Sequence, residues 1–273
     1  MKDQQPLPEV IPPQLPRLDR LRFDRPRQMV VAARDLLMHA LQQACGGRVS
    51  YVQVGAHDGV LADPVHQAAL AWGWSGLLIE PHPGYFAALG RNHASNPRMR
   101  LVNCAISDVP AMLDLYHPTE TAVARLGDYI RGSASLDAER LRGVLERRAA
   151  RQGLELMGDE IASTAVTVRR LDGLLAETGL ADFDLLVIDA EGHEREVLRS
   201  FDLSAHGIRA AIVECNQGDM QHEAEYAAML RAAGFTVLRV HSDLFALHPG
   251  RLALSIDQVL MMLGLPQAAG SGD

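Results

Sequence analysis

Lysine is almost absent from this 273-residue sequence: Lys2 is the only lysine among 26 basic residues. We attribute that bias to genome composition. Against 34 acidic residues the net charge is −8, and the basic residues are spread unevenly along the chain. Because a nucleic-acid-binding domain usually carries a domain-wide basic surface, the sequence predicts no nucleic-acid partner.

Cysteine and long apolar runs are also scarce. The three cysteines, Cys45, Cys104 and Cys215, lack metal-binding spacing, and two of them lie in apolar runs that predict buried free thiols. This usage predicts a reducing, cytoplasmic setting. The most apolar stretches, such as 77–79 and 185–188, are far shorter than the roughly 20 residues of a membrane span. The amino terminus has no apolar signal core, so neither a secretory signal nor a membrane partner is expected.

The positive charge is concentrated in two segments. Residues 16–34 contain six arginines against Asp19 and Asp24, and residues 139–151 contain five arginines against two glutamates. The rest of the chain is therefore strongly acidic. The second segment has helical spacing. A solvent-exposed helix face is the simpler interpretation, and recognition of an anionic acceptor is the alternative.

Short apolar runs alternate with amphipathic helical stretches from Val49 onward. The predicted strands are residues 51–55, 76–80, 100–107, 183–189 and 210–215. Runs that are apolar throughout indicate strands buried on both faces, which is typical of a parallel sheet covered by helices. The predicted fold class is therefore α/β, and segments 235–240 and 255–263 are expected to end it as an antiparallel pair of strands.

Three parts of the chain fall outside that alternation. Residues 1–48 are a Pro-rich arm followed by a helix that ends at the glycine pair 46–47. Residues 115–168 are an insertion before the fourth strand, too long for an ordinary connection, and form either a lid over the substrate or a disordered segment. Residues 266–273 are expected to be a disordered tail, which leaves 49–265 as the main domain.

A glycine turn and an acidic residue follow the first two predicted strands. Gly55 and Gly59 do not complete the G-x-G-x-x-G dinucleotide pattern. Glu80 ends the second strand, where a carboxylate can accept hydrogen bonds from both hydroxyls of a ribose. Together they favour a nucleoside-containing ligand at the carboxyl edge of the sheet. The alternatives are a tight turn without a ligand and a carboxylate that caps the next helix.

The chain contains the segments YVQVGAHDGV, GWSGLLIEPHPGYFAAL, VNCAISD, TVRRLDGLL and FDLLVIDAEGHEREVLRSFD, in that order, between about residues 49 and 240. In order and spacing they resemble the FkbM family of S-adenosylmethionine-dependent methyltransferases. The resemblance implies a class I methyltransferase fold, which is a Rossmann-like three-layer sandwich with a seven-stranded, mostly parallel sheet and an antiparallel final strand. It also implies S-adenosylmethionine as the cofactor.

The resemblance further implies roles for individual residues. The methionine end of the cofactor would be lined by Gln53, Gly55, His57, Asp58 and Gly59. Glu80 would hold the ribose, and Ala105 to Ser107 would approach the adenine. Asp189 would face the methionine amino group or the reaction centre. Gln53 departs from the acidic residue of many class I enzymes, and its amide does not neutralise the ammonium group of the cofactor.

The densest polar cluster of the chain is Asp189-Ala190-Glu191-Gly192-His193-Glu194. Methyl transfer from a sulfonium is an in-line displacement that needs positioning and removal of a proton from the acceptor. His193 lies near a predicted helix start, and an imidazole pKa of about 6.5 suits a general base. Glu191 would orient it or bind substrate, with Asp189 beside them. In the alternative interpretation, the glutamates only stabilise the helix amino terminus through its dipole.

Oxygen ligands also follow two adjacent predicted strands. Asp189, Glu214 and Asn216 are arranged in a way that is similar to the Mg²⁺ site of catechol-type and some sugar O-methyltransferases. Such oxygen atoms also bind substrate hydroxyls in metal-free enzymes. The sequence therefore leaves a Mg²⁺ site open and favours an enzyme without a metal.

These observations favour an S-adenosylmethionine-dependent O-methyltransferase that acts on a hydroxyl of a sugar, glycan or secondary metabolite. Its expected partner is a small-molecule or glycan acceptor, and a homo-oligomer is left open. A nucleotide-binding oxidoreductase is the alternative enzyme class, but it needs a third glycine where Val60 and Leu61 stand. A methyltransferase-like binding domain without catalysis is the other alternative, and Gln53 is the feature in its favour.

Overall fold

The computed structural model describes residues 26–61, 63–215 and 220–262 of the chain. Its helices are α1 (Pro26–Ala44), α2 (His66–Trp72), α3 (Pro83–Asn92), α4 (Glu120–Leu126), α5 (Ala138–Ala150), α6 (Leu171–Thr178), α7 (Glu194–Arg199), α8 (Met220–Ala232) and α9 (Ile256–Met262). Its strands are β1 (Ser50–Val54), β2 (Ser75–Ile79), β3 (Met99–Val102), β4 (Ala105–Ile106), β5 (Ala111–Pro118), β6 (Ile161–Arg169), β7 (Leu185–Ile188), β8 (Ala210–Glu214), β9 (Thr236–Val240) and β10 (Asp243–Leu247). A short 3₁₀ helix, Asp128–Ser133, lies between α4 and α5.

Seven strands form the main sheet, in the order β3-β2-β1-β7-β8-β10-β9. The first five are mutually parallel, whereas β10 runs antiparallel to both of its neighbours, β8 and β9. The strand order reverses beside β1, which lies between β2 and β7. Ligands of open α/β sheets bind outside the carboxyl ends of the strands at such a point. The predicted fold class, α/β with a seven-stranded and mostly parallel sheet, is confirmed.

Helices cover both faces of the main sheet. On one face, Val52 and Val54 of β1 share an apolar cluster with residues of α6, α7 and α8. On the other face, Tyr51 shares a second cluster with residues of α1, α2 and α9. Because both faces are buried, the central strands read in the sequence as continuous apolar runs rather than as alternating ones.

Helix α1 belongs to the core of this domain. Leu37 and Leu41 are 1% and 0% exposed and pack against the sheet. Sequence reasoning assigns residues 1–48 to a segment apart from the main domain, but the helical part of that segment forms one of its layers. The Pro-rich arm up to residue 25 and the predicted tail 266–273 lie outside the described residues.

The insertion at 115–168 is ordered and contributes to a second, smaller sheet. Strand β6 lies in its centre, antiparallel to β5 and parallel to β4. Around it, α4, α5 and the 3₁₀ helix enclose their own apolar cluster, which includes Leu126, Ile130 and Leu141. The sequence does not predict β6, since IASTAVTVR contains few large apolar residues. Of the two predicted alternatives, the disordered segment is wrong.

The prediction of one strand over residues 100–107 is also wrong. The chain forms β3, leaves the main sheet, and resumes as β4 in the smaller sheet. Asn103 lies at this break, and its side-chain amide donates to the backbone oxygens of Glu80 and Pro81, at 2.7 and 3.0 Å. That polar contact ties the break to the end of β2 and lets the next residues pair elsewhere.

Within the segment 255–263, residues 256–262 form a helix, α9, and not the predicted strand. Ser255 and Gln258 form a capping box: the Gln258 N–H donates to Ser255 Oγ at 3.2 Å, and the Ser255 N–H donates to Gln258 Oε1 at 2.7 Å. The antiparallel partner of β9 is instead β10, whose five residues are all buried. The S-x-x-Q spacing is the local signal that identifies the helix.

Two compositional predictions are tested by the fold. Cys104 and Cys215 are buried free thiols, as expected, and Cys45 is a partly buried free thiol. None of the helices in the described residues combines the length and the apolar character that crossing a membrane requires.

Candidate active site

A cavity of about 410 Å³ opens at the carboxyl ends of the central strands. Its walls come from the ends of β1, β2, β7 and β8, from the start of β10, and from residues 129–134 of the insertion. Small-molecule sites typically have volumes of roughly 300–1,000 Å³. Both the size and the place of the cavity are those of a ligand site in this type of sheet.

The turn after β1 is held tightly between β2 and β7. Gly55 has a φ of +82°, and a Cβ placed on it would lie 1.7 Å from the backbone oxygen of Asp189. The N–H groups of Gly55 and Ala56 both donate to the Ile79 carbonyl, at 2.9 and 3.0 Å. A side chain at position 55 is excluded by the left-handed backbone and by the adjacent strand end. The backbone of this turn therefore forms part of the cavity wall.

Glu80 lies at the end of β2 and is only 5% exposed. Its Oε2 accepts a hydrogen bond from the His57 N–H and its Oε1 accepts one from the His82 N–H, each at 2.8 Å. Burial raises the pKa of Glu80 to about 7, although these two hydrogen bonds act in the opposite direction. This cavity-lining carboxyl group therefore changes its charge near neutral pH.

His57 and Tyr85 form an aromatic part of the wall. Their ring centroids are 4.0 Å apart, with the planes tilted by 38°. His57 has a φ of +49°, and its Nε2 is buried without a hydrogen-bond partner among the described residues. Both rings line the cavity, so a ligand in it meets an aromatic surface beside the Glu80 carboxyl.

Four carboxyl groups crowd the ends of β7 and β8: those of Asp189, Glu191, Glu194 and Glu214. Arg140 of α5 places its Nη2 2.7 Å from Glu191 Oε2 and 3.6 Å from Glu214 Oε2. The side chain of Asp189 is exposed to the cavity, yet protein encloses it on its other sides. Desolvation, followed by repulsion from the neighbouring carboxylates, raises the pKa values of Asp189 and Glu214 well above their ordinary range.

Part of this acidic cluster has the proportions of a cation site. Oxygen atoms of Asp189, Glu194 and Glu214 lie within 4.8 Å of one another. The Glu194 carboxylate also binds the backbone: its Oε1 accepts hydrogen bonds from the N–H groups of residues 190 and 192, each at 3.0 Å. Asn216, the third ligand that the sequence suggests, lies outside the described residues.

His193 lines the cavity immediately before α7. Its Nε2 lies 2.9 Å from the hydroxyl oxygen of Ser107, and its Nδ1 lies 3.7 Å from a carboxylate oxygen of Glu196. Both ring nitrogens therefore have a polar neighbour in the protein. A proton taken up at Nε2 requires the bond to Ser107 to be exchanged for one to the acceptor.

Most of the predicted site residues meet at this cavity. Those that line it are Gln53, Gly55, His57, Glu80, Ala105, Asp189, Glu191, His193 and Glu214. Three others have different positions. Asp58 accepts hydrogen bonds within the following turn, Gly59 packs against side chains of α3, and Ser107 is buried beside His193.

Among the cavity-lining residues that are absent from the sequence prediction are Arg34 of α1, Tyr85 of α3 and Asp243 of β10. Arg34 Nη2 lies 2.6 Å from Asp243 Oδ2. A signal for Arg34 exists, because it lies four residues after Val30 and four before Met38, both buried, and so shares their face of the helix. Asp243 has no such signal, since its segment is not predicted as a strand.

Residues 53–237 match a family model described as the methyltransferase FkbM domain. The 31-O-demethyl-FK506 methyltransferase FkbM of Streptomyces tacrolimicus is 33% identical over 179 residues, which are 62% of this chain and 66% of that relative, slightly less than two thirds of its length. Among solved structures, the methyltransferase FkbM of Methylobacillus flagellatus has a TM-score of 0.45 at 12% identity, covering 73% of this chain and 44% of that one. The precorrin-6y C5,15-methyltransferase of Geobacter metallireducens has a TM-score of 0.39 at 10% identity, covering 78% and 84%.

We expect Gly55→Ala to lower the free energy of unfolding by at least about 2 kcal/mol, because it combines an unfavourable left-handed backbone with a clash against the end of β7. Urea denaturation measures the effect. Gly90→Ala is the matched control: it lies inside α3 with no atom within 4 Å of the added carbon, and it should stabilise by about 0.5–1 kcal/mol. Equal stabilities of the two variants would contradict the tight turn.

Proposed function

The chain belongs to the FkbM methyltransferase family, and from that premise we propose that it transfers a methyl group from S-adenosylmethionine to a hydroxyl oxygen of a sugar, glycan or secondary metabolite. The observation that carries the proposal is the cavity at the strand-order reversal, where the Gly55 turn and the buried carboxyl of Glu80 lie side by side. The S-adenosylmethionine sulfonium supplies an electrophilic methyl group when it is bound.

The residues of the cavity fit this cofactor. Glu80 offers carboxylate oxygens to ribose hydroxyls at the end of β2. Gln53 is 2% exposed, and its Oε1 is buried without a partner among the described residues, so it is free to accept a hydrogen bond from an ammonium group. Ala105 remains the residue proposed for the adenine side. Asp58, Gly59 and Ser107 support the site from behind its wall.

The acceptor is proposed to enter between the acidic cluster and the insertion. Residues 129–134 of the insertion line the cavity together with Asp189, Glu191 and His193. The name of the Streptomyces relative, 31-O-demethyl-FK506 methyltransferase, specifies an oxygen position of FK506, which supports a hydroxyl as the acceptor group. Glu191, held by Arg140, would bind and orient that hydroxyl.

His193 is proposed as the general base. Methyl transfer to the acceptor hydroxyl would release S-adenosylhomocysteine and one proton, and a base in the cavity would take up that proton. His193 faces the cavity, and Glu196 is placed to stabilise the imidazolium that forms. Asp189 lines the cavity at the end of β7 and is assigned to hold substrate or cofactor.

The family match favours methyl transfer over the alternative of a nucleotide-binding oxidoreductase. This sequence also lacks the third glycine that the dinucleotide-binding pattern of such an oxidoreductase requires. The other alternative, a binding domain without catalysis, rests on Gln53. Its amide oxygen, which is buried at the cavity wall without a hydrogen-bond partner among the described residues, supports cofactor binding. Measurements of cofactor binding and of methyl-transfer turnover distinguish a methyltransferase from these two alternatives.

Wild-type protein should bind S-adenosylhomocysteine in calorimetry, with an affinity that rises about tenfold from pH 6 to pH 8. The raised pKa of Glu80, about 7, keeps the carboxyl mostly protonated at pH 6, and the ionised form that best accepts the ribose hydroxyls predominates at pH 8. Glu80→Gln should weaken binding and flatten this dependence, whereas the exposed Glu146→Gln should change neither. Absence of binding at millimolar ligand, or unchanged affinity in Glu80→Gln, would contradict the proposed cofactor site.

Transfer of radiolabelled methyl groups can be screened with 31-O-demethyl-FK506 and a panel of free sugars as probe acceptors. With a probe that is methylated, His193→Ala should lower kcat by about 100-fold or more and leave the affinity for S-adenosylhomocysteine within about twofold. His39→Ala, at an exposed position of α1, is the control. Equal losses of kcat and affinity would assign His193 a structural role.

We further propose that the acidic cluster works without Mg²⁺, because the Arg140 guanidinium already brings a positive charge to Glu191 and Glu214. Calorimetry should detect no Mg²⁺ binding to wild-type protein at millimolar concentration, and EDTA should leave methyl transfer unchanged. Arg140→Met should gain divalent-ion binding, since it leaves the carboxylates without that charge. Loss of activity in EDTA that Mg²⁺ restores would show that the enzyme requires the metal.

A further inference from the structure

Arg34 connects α1 to the end of the cavity beside β10. Val30, Leu37 and Met38, on the same face of the helix, are buried against the sheet. The Arg34 Nη2 donates to Asp243 Oδ2 at 2.6 Å, and Asp243, the first residue of β10, is only 4% exposed. This ion pair holds the guanidinium in the cavity wall, which both side chains line.

The guanidinium retains donor capacity beyond this ion pair. Arg34 Nε is buried without a hydrogen-bond partner among the described residues, as is Oε1 of Gln53. Val52 and Val54 face the opposite side of the sheet, so Gln53 lies on the same face as α1. Buried polar groups without partners are unfavourable. Arg34 offers an unpartnered donor and Gln53 an unpartnered acceptor at the same cavity. They indicate a ligand that supplies a hydrogen-bond acceptor to Arg34 and a donor to Gln53.

The charges of the cavity wall identify the group that Arg34 would receive. In the described part of the chain, the other arginine in the wall is Arg131, which already makes two hydrogen bonds to Glu120, at 2.6 and 2.7 Å. Much of the remaining wall is acidic, with Glu80 and Asp189 among its carboxyl groups. An anionic ligand group is therefore attracted to Arg34 and repelled by the carboxylates elsewhere in the wall.

We propose that Arg34 binds the α-carboxylate of S-adenosylmethionine and that Gln53 accepts a hydrogen bond from its ammonium group. The inference rests on the proposed function and adds a cofactor-binding residue to it. An α-amino acid group presents an anion and hydrogen-bond donors on one carbon, which matches the donor on Arg34 and the acceptor on Gln53. Asp243 is the positioning residue. Since the family match begins at residue 53, this assignment extends the cofactor site into the segment before the family domain.

A pair of ligands isolates this contact. S-adenosylhomocysteine carries the amino-acid group, whereas 5′-methylthioadenosine keeps the adenosine and the thioether but lacks that group. In calorimetry, Arg34→Met should weaken binding of S-adenosylhomocysteine by at least about tenfold and leave that of 5′-methylthioadenosine within about twofold. Arg48→Met, which removes the same charge from an exposed position after α1, should change neither.

Equal affinities of wild type and Arg34→Met for S-adenosylhomocysteine, or equal losses for both ligands, would overturn the assignment. Failure of the proposed function gives a different result, in which wild-type protein binds neither ligand. Thermal unfolding establishes whether Arg34→Met folds. If it does not, Arg34→Gln, which keeps a donor for Asp243, is measured with the same two ligands: a loss confined to S-adenosylhomocysteine supports the proposal, and its absence overturns it.

Discussion

Negative charge gathered at one edge of the sheet is the constraint on which this site depends. Among the described residues, six carboxyl side chains line the cavity, those of Asp63, Glu80, Asp189, Glu191, Glu214 and Asp243. The topology brings most of them together, because the carboxyl ends of the parallel strands meet at the same edge. Burial raises the pKa values of several of them. Arg34 and Arg140 supply opposing charge, so the geometry of the cavity depends on elements outside the central strands.

These two arginines give the uneven charge of the sequence a structural meaning. Arg34 comes from the basic segment 16–34, and Arg140 comes from the basic segment 139–151. Sequence reasoning separates both segments from the cofactor-binding core, because neither follows the strand–helix alternation. In the structure α1 packs on the main sheet and α5 reaches the acidic cluster. Each basic segment thus contributes one arginine to the acidic edge of the sheet.

The parts of the fold and site that sequence predicts are those with local signals. Continuous apolar runs identify the buried parallel strands, and the positions of Gly55 and Glu80 identify the ligand edge. The strand β6 is missed because its pairing with β5, and not its composition, stabilises it. Arg34 and Asp243 are separated by 209 positions of the chain. The residues around either one in the sequence therefore do not indicate that the two form a pair. The start of α9, in contrast, could have been predicted, because the S-x-x-Q spacing of Ser255 and Gln258 is a local helix signal.

The most direct measurement is a crystal structure of the protein with S-adenosylhomocysteine. The central claim is that the carboxyl edge of the sheet binds the methyl donor across the Gly55 turn. It predicts that both ribose hydroxyls lie within about 3.2 Å of Glu80 carboxylate oxygens, with the amino-acid group on the side of Gln53. A ligand bound elsewhere, or a Glu80 carboxyl that touches no part of it, would contradict the claim.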